Sequence, residues 1–192
     1  AIGVKLSSPG PVIFRQRRNG LAGGEIMVYK FRSMRAMDDG PVVKQATTDD
    51  PRITPFGGFI RRTSLDELPQ FINVLQGRMS VVGPRPARPE FVDVLSRQVP
   101  LYFYRHGVRP GLTGWAQLNF PYGASMDDAR EKLTYDLYYI KNTNIITDLL
   151  ILLQTLEVVV WGHGTSMSGG ARLRPLEARE PRTEPVGITV TD

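Results

Sequence analysis

Residues 61–86 read RRTSLDELPQFINVLQGRMSVVGPRP, and no other stretch limits the fold of this chain as much. Pro69 has no N–H, so it belongs in the first turn of a helix, where that donor has no partner anyway. Leu68, Phe71, Ile72 and Leu75 recur at i, i+3, i+4 and i+7 and predict one apolar helical face. A helix should therefore start close to Asp66-Glu67. Ser64 with Glu67 three residues on matches a capping box. A cap at Ser64 would put Pro69 too deep and lose one bond, whereas a cap near Leu65 or Asp66 would not. Either start leaves both carboxylates in the first turn, beside free N–H groups and the positive end of the helix dipole, which favours their ionised forms.

Acids at a helix start are usually caps, worth about 1 kcal/mol. This pair stands out by its company. Adjacent carboxylates are costly to hold together unless something positive lies between them, and Arg61, Arg62 and Arg85 all fall in the same stretch. A divalent metal with a phosphorylated substrate would supply that charge. A strand-like Met79–Val82 leads into Gly83-Pro84-Arg85-Pro86. Two prolines stiffen the turn around Arg85, and a guanidinium held in place suits a bidentate phosphate contact. The plainer reading is a surface turn with an incidental arginine.

At 192 residues the chain is long enough for one domain with a real core. The absence of cysteine excludes disulfides and thiolate metal sites. The two histidines, His106 and His163, have no zinc-hydrolase spacing. Any metal should be a hard, oxygen-bound ion such as magnesium. Residues 1–35 carry seven bases and one acid, which suits an anionic partner such as a lipid headgroup surface, a nucleic acid or a nucleotide. No apolar run reaches the roughly 18 residues of a membrane span.

Along the rest of the chain, turn residues at Asn19-Gly20 and Gly23-Gly24 predict a β-hairpin pairing about 11–17 with 25–32. Residues 36–56 read as a polar loop, with Asp49-Asp50-Pro51 as turn chemistry. Short helical patterning covers 88–98. The glycine-punctuated Arg109–Trp115 suggests a backbone that approaches a ligand, with Trp115 either stacking on it or lying in the core. Ser125 and Asp128 cap a helix over 126–141, with Ala129, Leu133, Leu137 and Ile140 on one face. The apolar 145–161 reads as a buried or interfacial helix, and 165–192 as a disordered polar tail.

These pieces, taken together and in order, resemble the bacterial sugar transferases, the monotopic polyprenyl-phosphate phosphoglycosyl transferases. The matching segments are GPVIFRQRRNG, YKFRSM, RRTSLDELPQFINVLQGRMSVVGPRP, RPGLTGWAQLN, YDLYYIKN and TDLLILLQT, spread over about residues 8–163. The resemblance implies transfer of a sugar phosphate from a UDP-sugar to undecaprenyl phosphate, with release of UMP, as the first membrane step of exopolysaccharide or other surface-glycan assembly. It implies Asp66 as the nucleophile of a covalent phosphosugar intermediate and Glu67 as a magnesium-associated carboxylate, with Asp66 beside it. Arg61, Arg85, Lys30, Arg32 and Arg109 become phosphate or substrate contacts. The implied location is the cytoplasmic face of the bacterial inner membrane.

The implied fold is a mainly helical α+β domain over 1–164, with a hairpin packed on helices and amphipathic helices along the membrane surface. A re-entrant membrane helix normally precedes the GPVIFRQ motif, and here only its last residues, up to Ser8-Pro9, would be present. Where many members continue from GWAQ into Asn-Gly-Arg, this chain reads Asn119-Phe120-Pro121-Tyr122-Gly123-Ala124-Ser125. That variant resembles the exopolysaccharide branch associated with exosortase-type gene clusters. Two further readings compete. A soluble metal-dependent nucleotide-sugar hydrolase would use the same carboxylates but need no lipid. A basic nucleic-acid-binding module would leave the acid pair unexplained and shows no RRM, KH or zinc-finger pattern, so no nucleic-acid partner is expected. The sugar and the oligomeric state, homo-oligomers included, are open at this level.

Overall fold

The turn residues and the alternation between them build a hairpin in the expected place. In the computed structural model, which describes residues 1–35, 50–120 and 125–161, β1 (Ile13–Asn19) pairs antiparallel with β2 (Glu25–Phe31). The register runs from Ile13 opposite Phe31 to Asn19 opposite Glu25. The connection is a short 3-10 turn, Leu21–Gly23, in which Gly23 takes φ 77, a conformation glycine adopts without a Cβ penalty. Side chains directly opposite share a face, so Gln16, Arg18, Val28 and Lys30 lie on one side, with Val28 buried.

Ladder bonds alternate along an antiparallel pair, which turns the N–H and C=O of every second residue toward the open edge. On β2 these residues are Met27 and Tyr29. The Asn73 side chain satisfies both: Nδ2 donates to the Met27 carbonyl at 2.7 Å, and the Tyr29 N–H donates to Oδ1 at 3.1 Å. One buried amide thus stands in for a third strand. The opposite edge is held where the Asn19 N–H donates to the Ala87 carbonyl at 2.9 Å.

That demand sets which way the helix predicted at Leu68–Leu75 faces. A 3-10 turn, Leu65–Glu67, comes first, and the α-helix proper is shorter, Gln70–Leu75, with Pro69 as its cap residue. Gln70 and Asn73 are only 2% and 0% exposed, while Phe71 is 45% and Leu75 88% exposed. The polar face packs inward because β2 needs backbone partners, and the apolar face is left outside. The capping box is not formed either. Ser64 sits at φ 55 with no side-chain cap bond, and the Glu67 carboxylate turns elsewhere.

Around this unit, α1 (Ile2–Ser7) packs on α2 (Pro55–Arg62). The α2 helix lies partly in the stretch read as a loop. Thr54 caps it, with Oγ1 accepting from the Gly57 N–H at 2.9 Å, and Pro55 fills its first position. Asp50 accepts from the Arg52 N–H at 3.0 Å, which is turn chemistry; Asp49 lies outside the described residues. The Gln70–Leu75 helix is α3, and β3 (Ser80–Val82) pairs in parallel with β4 (Gly111–Thr113). The glycines of 109–115 serve this pairing: a Cβ on Gly111 or Gly114 would lie 2.2 Å from the Gly83 backbone.

The remaining helices are α4 (Pro89–Gln98), α5 (Trp115–Asn119), α6 (Met126–Lys141) and α7 (Ile145–Trp161). The Ser125–Asp128 capping box starts α6 as expected. One core cluster joins Val92, Val99, Tyr102 and Leu133; a second joins Val82, Tyr139 and Ile151. Thus α6 serves both. Trp115 packs on the second cluster and stacks on Tyr138, so it is a core residue. Ile151 of α7 is fully buried, but Leu149, Leu153 and Leu156 of the same helix are more than half exposed. Among the described residues no helix is long and apolar enough to cross a membrane. The fold is a mixed helix–strand one with a small antiparallel hairpin, as expected; the tail predicted at 165–192 and His163 lie outside the described residues.

Asn73→Ala should lower the unfolding free energy by about 2–3 kcal/mol, because it leaves the buried Tyr29 N–H and Met27 C=O without partners. Urea denaturation measures it; an unchanged midpoint would show that water replaces the amide at that edge.

Candidate active site

Three segments distant in sequence converge on Glu67. Lys30, near the end of β2, donates from Nζ to Oε1 at 2.8 Å. Arg85, in the Gly-Pro-Arg-Pro turn, donates from Nη2 to Oε1 at 2.5 Å and from Nη1 to Oε2 at 3.3 Å. Both carboxylate oxygens are thereby engaged. The side chain of Asp66, next to it on the same 3-10 turn, makes no hydrogen bond or ion pair among the described residues. Two adjacent acids thus occupy opposite states, one clamped and one available.

Their electrostatics differ accordingly. Burial by itself would raise the Glu67 pKa, but Arg85 and Lys30 outweigh it and hold the carboxyl well below the usual carboxylate range. Burial pushes Asp66 upward, and the neighbouring Glu67 adds to the rise; Lys30, Arg61 and Arg85 pull the other way without cancelling it. This corrects the expectation that the helix start favours both ionised forms. Asp66 has lost water without gaining a direct partner. Lys30 is pushed below its ordinary value by burial and then by the like charge of Arg85, against the attraction of Glu67.

Arg85 is itself held from behind. Arg105, in the 3-10 segment Tyr102–Gly107, donates to the Arg85 carbonyl at 2.9 Å. The same guanidinium pairs with Asp136 of α6 at 2.7 Å, with both side chains buried, and donates to the Tyr102 hydroxyl at 3.1 Å. Sequence reading did not single out Arg105 or Asp136. Their spacing of 31 residues carries no local signal.

Of the residues predicted from the sequence, Asp66, Glu67, Lys30 and Arg85 are brought together, with Arg61 at the end of α2 close enough to act on Asp66. Arg32 is placed differently. It is buried and donates to the backbone carbonyls of Ser8 and Pro9, at 2.6 Å each, tying the segment after α1 to the hairpin. Arg109 is exposed just before β4. His106 is buried against Phe103, with burial and then Arg105 lowering its pKa to about 4. Arg18 and Gln70 were not anticipated, yet both line a small cleft with Val28, Lys30, Arg85 and Pro86.

Among the described residues no three His, Cys, Asp or Glu side chains cluster to hold a metal. Two adjacent carboxylates are nonetheless a sufficient protein share for magnesium, which takes one or two carboxylates and completes its shell with substrate phosphates and water. With both Glu67 oxygens engaged, Asp66 is the open donor, and Glu67 would join it once Lys30 and Arg85 turn to a diphosphate that arrives with the ion.

Residues 1–162 match the family model described as bacterial sugar transferase. The chain is 46% identical over 164 residues to a UDP-N-acetylgalactosamine-undecaprenyl-phosphate N-acetylgalactosaminephosphotransferase of Aeromonas hydrophila, covering 85% of this chain and 39% of that protein. It is 50% identical over 158 residues to a UDP-glucose:undecaprenyl-phosphate glucose-1-phosphate transferase of Escherichia coli (strain K12), covering 81% and 34%. It is 46% identical over 165 residues to an exopolysaccharide production protein of Rhizobium leguminosarum bv. phaseoli, covering 81% of each. The chain thus spans little more than a third of the length of the first two relatives.

The depressed pKa of Glu67 has a signed consequence. Its ionisation contributes stability that is complete above the ordinary value of 4.5 and is lost as pH falls toward the lower folded value. The stability difference between wild type and Glu67→Gln should be flat near neutrality and shrink below about pH 4.5. Urea titrations at a series of pH values measure it, and a gap that widens in acid would contradict the assigned pairing.

Proposed function

The chain belongs to the bacterial sugar transferase family, and from that premise we propose that it moves a sugar 1-phosphate from a UDP-sugar to undecaprenyl phosphate. The observation that carries the reading is the contrast within the acid pair. Glu67 is held by two cations, while Asp66 is desolvated, has no side-chain partner among the described residues, and feels the charges of Lys30, Arg61 and Arg85. An unengaged carboxylate facing cations is placed to attack a phosphorus that those cations attract.

On this reading an Asp66 oxygen attacks the phosphorus that bears the sugar. The bond from that phosphorus to the UMP oxygen breaks, and UMP leaves with the bonding electrons. An oxygen of undecaprenyl phosphate then attacks the same phosphorus and displaces Asp66. The product is the lipid diphosphate sugar, and the carboxylate is regenerated without a net proton transfer. Lys30, Arg61 and Arg85 neutralise the phosphates and orient them. Glu67 and Asp66 are the residues that would hold magnesium, whose role when bound is to neutralise diphosphate charge. Elevation of the Asp66 pKa predicts activity that falls as pH drops through its raised value.

A lipid acceptor implies a membrane surface, and the inner-membrane cytoplasmic face is the proposed location, since nucleotide sugars are made in the cytoplasm. The exposed apolar side chains of α1, α3 and α7, among them Leu6, Phe71 and Leu153, support a role for these helices against lipid. The relative named for exopolysaccharide production supports the same pathway class here. Neither the hydrolase nor the nucleic-acid reading gains support from any of the relatives.

Asp66→Asn should abolish UMP release from UDP-sugars by the full-length protein in lipid or detergent with magnesium and undecaprenyl phosphate, while leaving its melting curve unchanged. Full activity in the variant would remove Asp66 as nucleophile, and release without lipid would revive the hydrolase. Arg85→Ala should weaken UDP binding by about 2 kcal/mol or more, roughly thirtyfold, as for a charge-assisted pair lost from a partly dry site. Isothermal calorimetry reads it, and an unchanged affinity would move phosphate recognition away from this turn.

A further inference from the structure

The cleft beside the acid pair contains a group that the reaction described above does not use. Gln70 is 2% exposed, and its Nε2 is buried without a hydrogen-bond partner. Among the described residues, those that line the cleft with it are Arg18, Val28, Lys30, Arg85 and Pro86, none of them acidic. We propose that Gln70 and Arg18 complete a seat for one phosphate oxygen of the donor diphosphate, with Gln70 Nε2 as the buried donor at its floor. The proposal rests on the sugar-phosphate transfer reading and adds to it two residues that touch the donor.

The placement of Gln70 follows from the fold. Asn73 must face β2 to satisfy its open edge, and Gln70 lies three residues earlier on the same helical face. It therefore also faces the hairpin, beside Val28 and Lys30. An apolar residue there would pack against Val28 at no polar cost. A buried amide donor without an acceptor is expensive, and it becomes favourable once an acceptor enters.

Arg18 reaches the cleft because the hairpin register puts it on the face of Lys30. It is pre-positioned by bonds to the Gln16 side chain and, at 3.3 Å, to the Pro86 carbonyl. Its charge adds to those of Lys30 and Arg85, and such a wall attracts an anion more strongly than a neutral molecule.

Size decides which part of the ligand enters. The space in the cleft open to the centre of a water-sized sphere is about 10 Å³, close to the minimum for a single water-sized atom. A sugar ring, a base or a whole phosphate is too large. One phosphate oxygen fits, with the rest of the group at the mouth, where Lys30 and Arg85 can exchange Glu67 for it. A water bound at Nε2 is the competing occupant, and it predicts no change in nucleotide affinity when the amide is removed.

The test compares wild type, Gln70→Leu and Gln70→Glu in the full-length protein, using UDP and uridine as probes. Gln70→Leu should unfold at the same or higher urea concentration than wild type and bind UDP about tenfold more weakly or worse, as for a lost hydrogen bond to a charged group. Uridine, which has no phosphate, should bind both alike. Gln70→Glu should weaken UDP further, by placing a like charge in the seat. Equal UDP affinity in wild type and Gln70→Leu would overturn the proposal and leave the transfer reading standing. A marked loss of stability in Gln70→Leu would assign the residue to the fold and also overturn it. A wild type that neither binds UDP nor transfers sugar phosphate would refute the reading beneath it, and the seat with it.

Discussion

The site depends on one carboxylate shared by two cations. Glu67 joins the end of the hairpin to the Gly-Pro-Arg-Pro turn through Lys30 and Arg85. Such an arrangement is a poor source of net stability, because taking charges out of water offsets most of their attraction. It is better understood as a store of positive charge. Lys30, Arg85 and Arg61 all act on the acid pair, and burial together with Arg85 already opposes the charge on Lys30. On the proposed reaction an incoming phosphate would relieve that crowding.

A charge imbalance is useful only if the cations cannot drift toward solvent. Here Arg85 and Lys30 are delivered by braced elements. Arg85 follows Gly83-Pro84 in a turn whose backbone lies so close to Gly111 and Gly114 that no Cβ fits at either glycine. Its carbonyl is held by Arg105, which in turn is fixed by the buried Asp136. Lys30 is set by a strand whose outer edge is closed by Asn73 and whose partner strand is held by Ala87. Donors and charges arranged before the ligand arrives cost little reorganisation when charge develops. Asn73, Arg105 and Asp136, which look uneconomical one at a time, serve that purpose.

The sequence conveyed local features well and tertiary ones poorly. The hairpin was legible because glycine and asparagine mark its turn, and α6 because Ser125 and Asp128 spell its cap. The carboxylate pair and Arg85 stood out through their company in one stretch. Leu68, Phe71, Ile72 and Leu75 were legible as one apolar face, but its direction was not: an open strand edge claims Asn73, so the polar face packs inward and the apolar one lies outside. Periodicity registers apolar spacing and is blind to a backbone that needs partners. The α2 helix was missed because its cap, Thr54-Pro55, ends a turn-rich stretch. Arg18 and Gln70 gave no signal, since one reaches the site through strand register and the other through the inward face of α3.

That orientation has a chemical use. On the proposed reaction two unlike substrates must meet at Asp66: a soluble nucleotide sugar, and a phosphate tethered to a long hydrocarbon. The phosphate has to reach Lys30 and Arg85 while its chain stays in an apolar phase. From Leu65 to Leu75 the chain separates these needs across the width of one helix, about 10 Å. The acids and the amides Gln70 and Asn73 turn inward, and Leu65, Leu68, Phe71 and Ile72 turn outward. A soluble hydrolase would carry that outward face as an aggregation liability with no return. An enzyme that takes its acceptor from lipid needs such a face beside its nucleophile, because the distance between headgroup and tail is fixed by the acceptor and not by the protein.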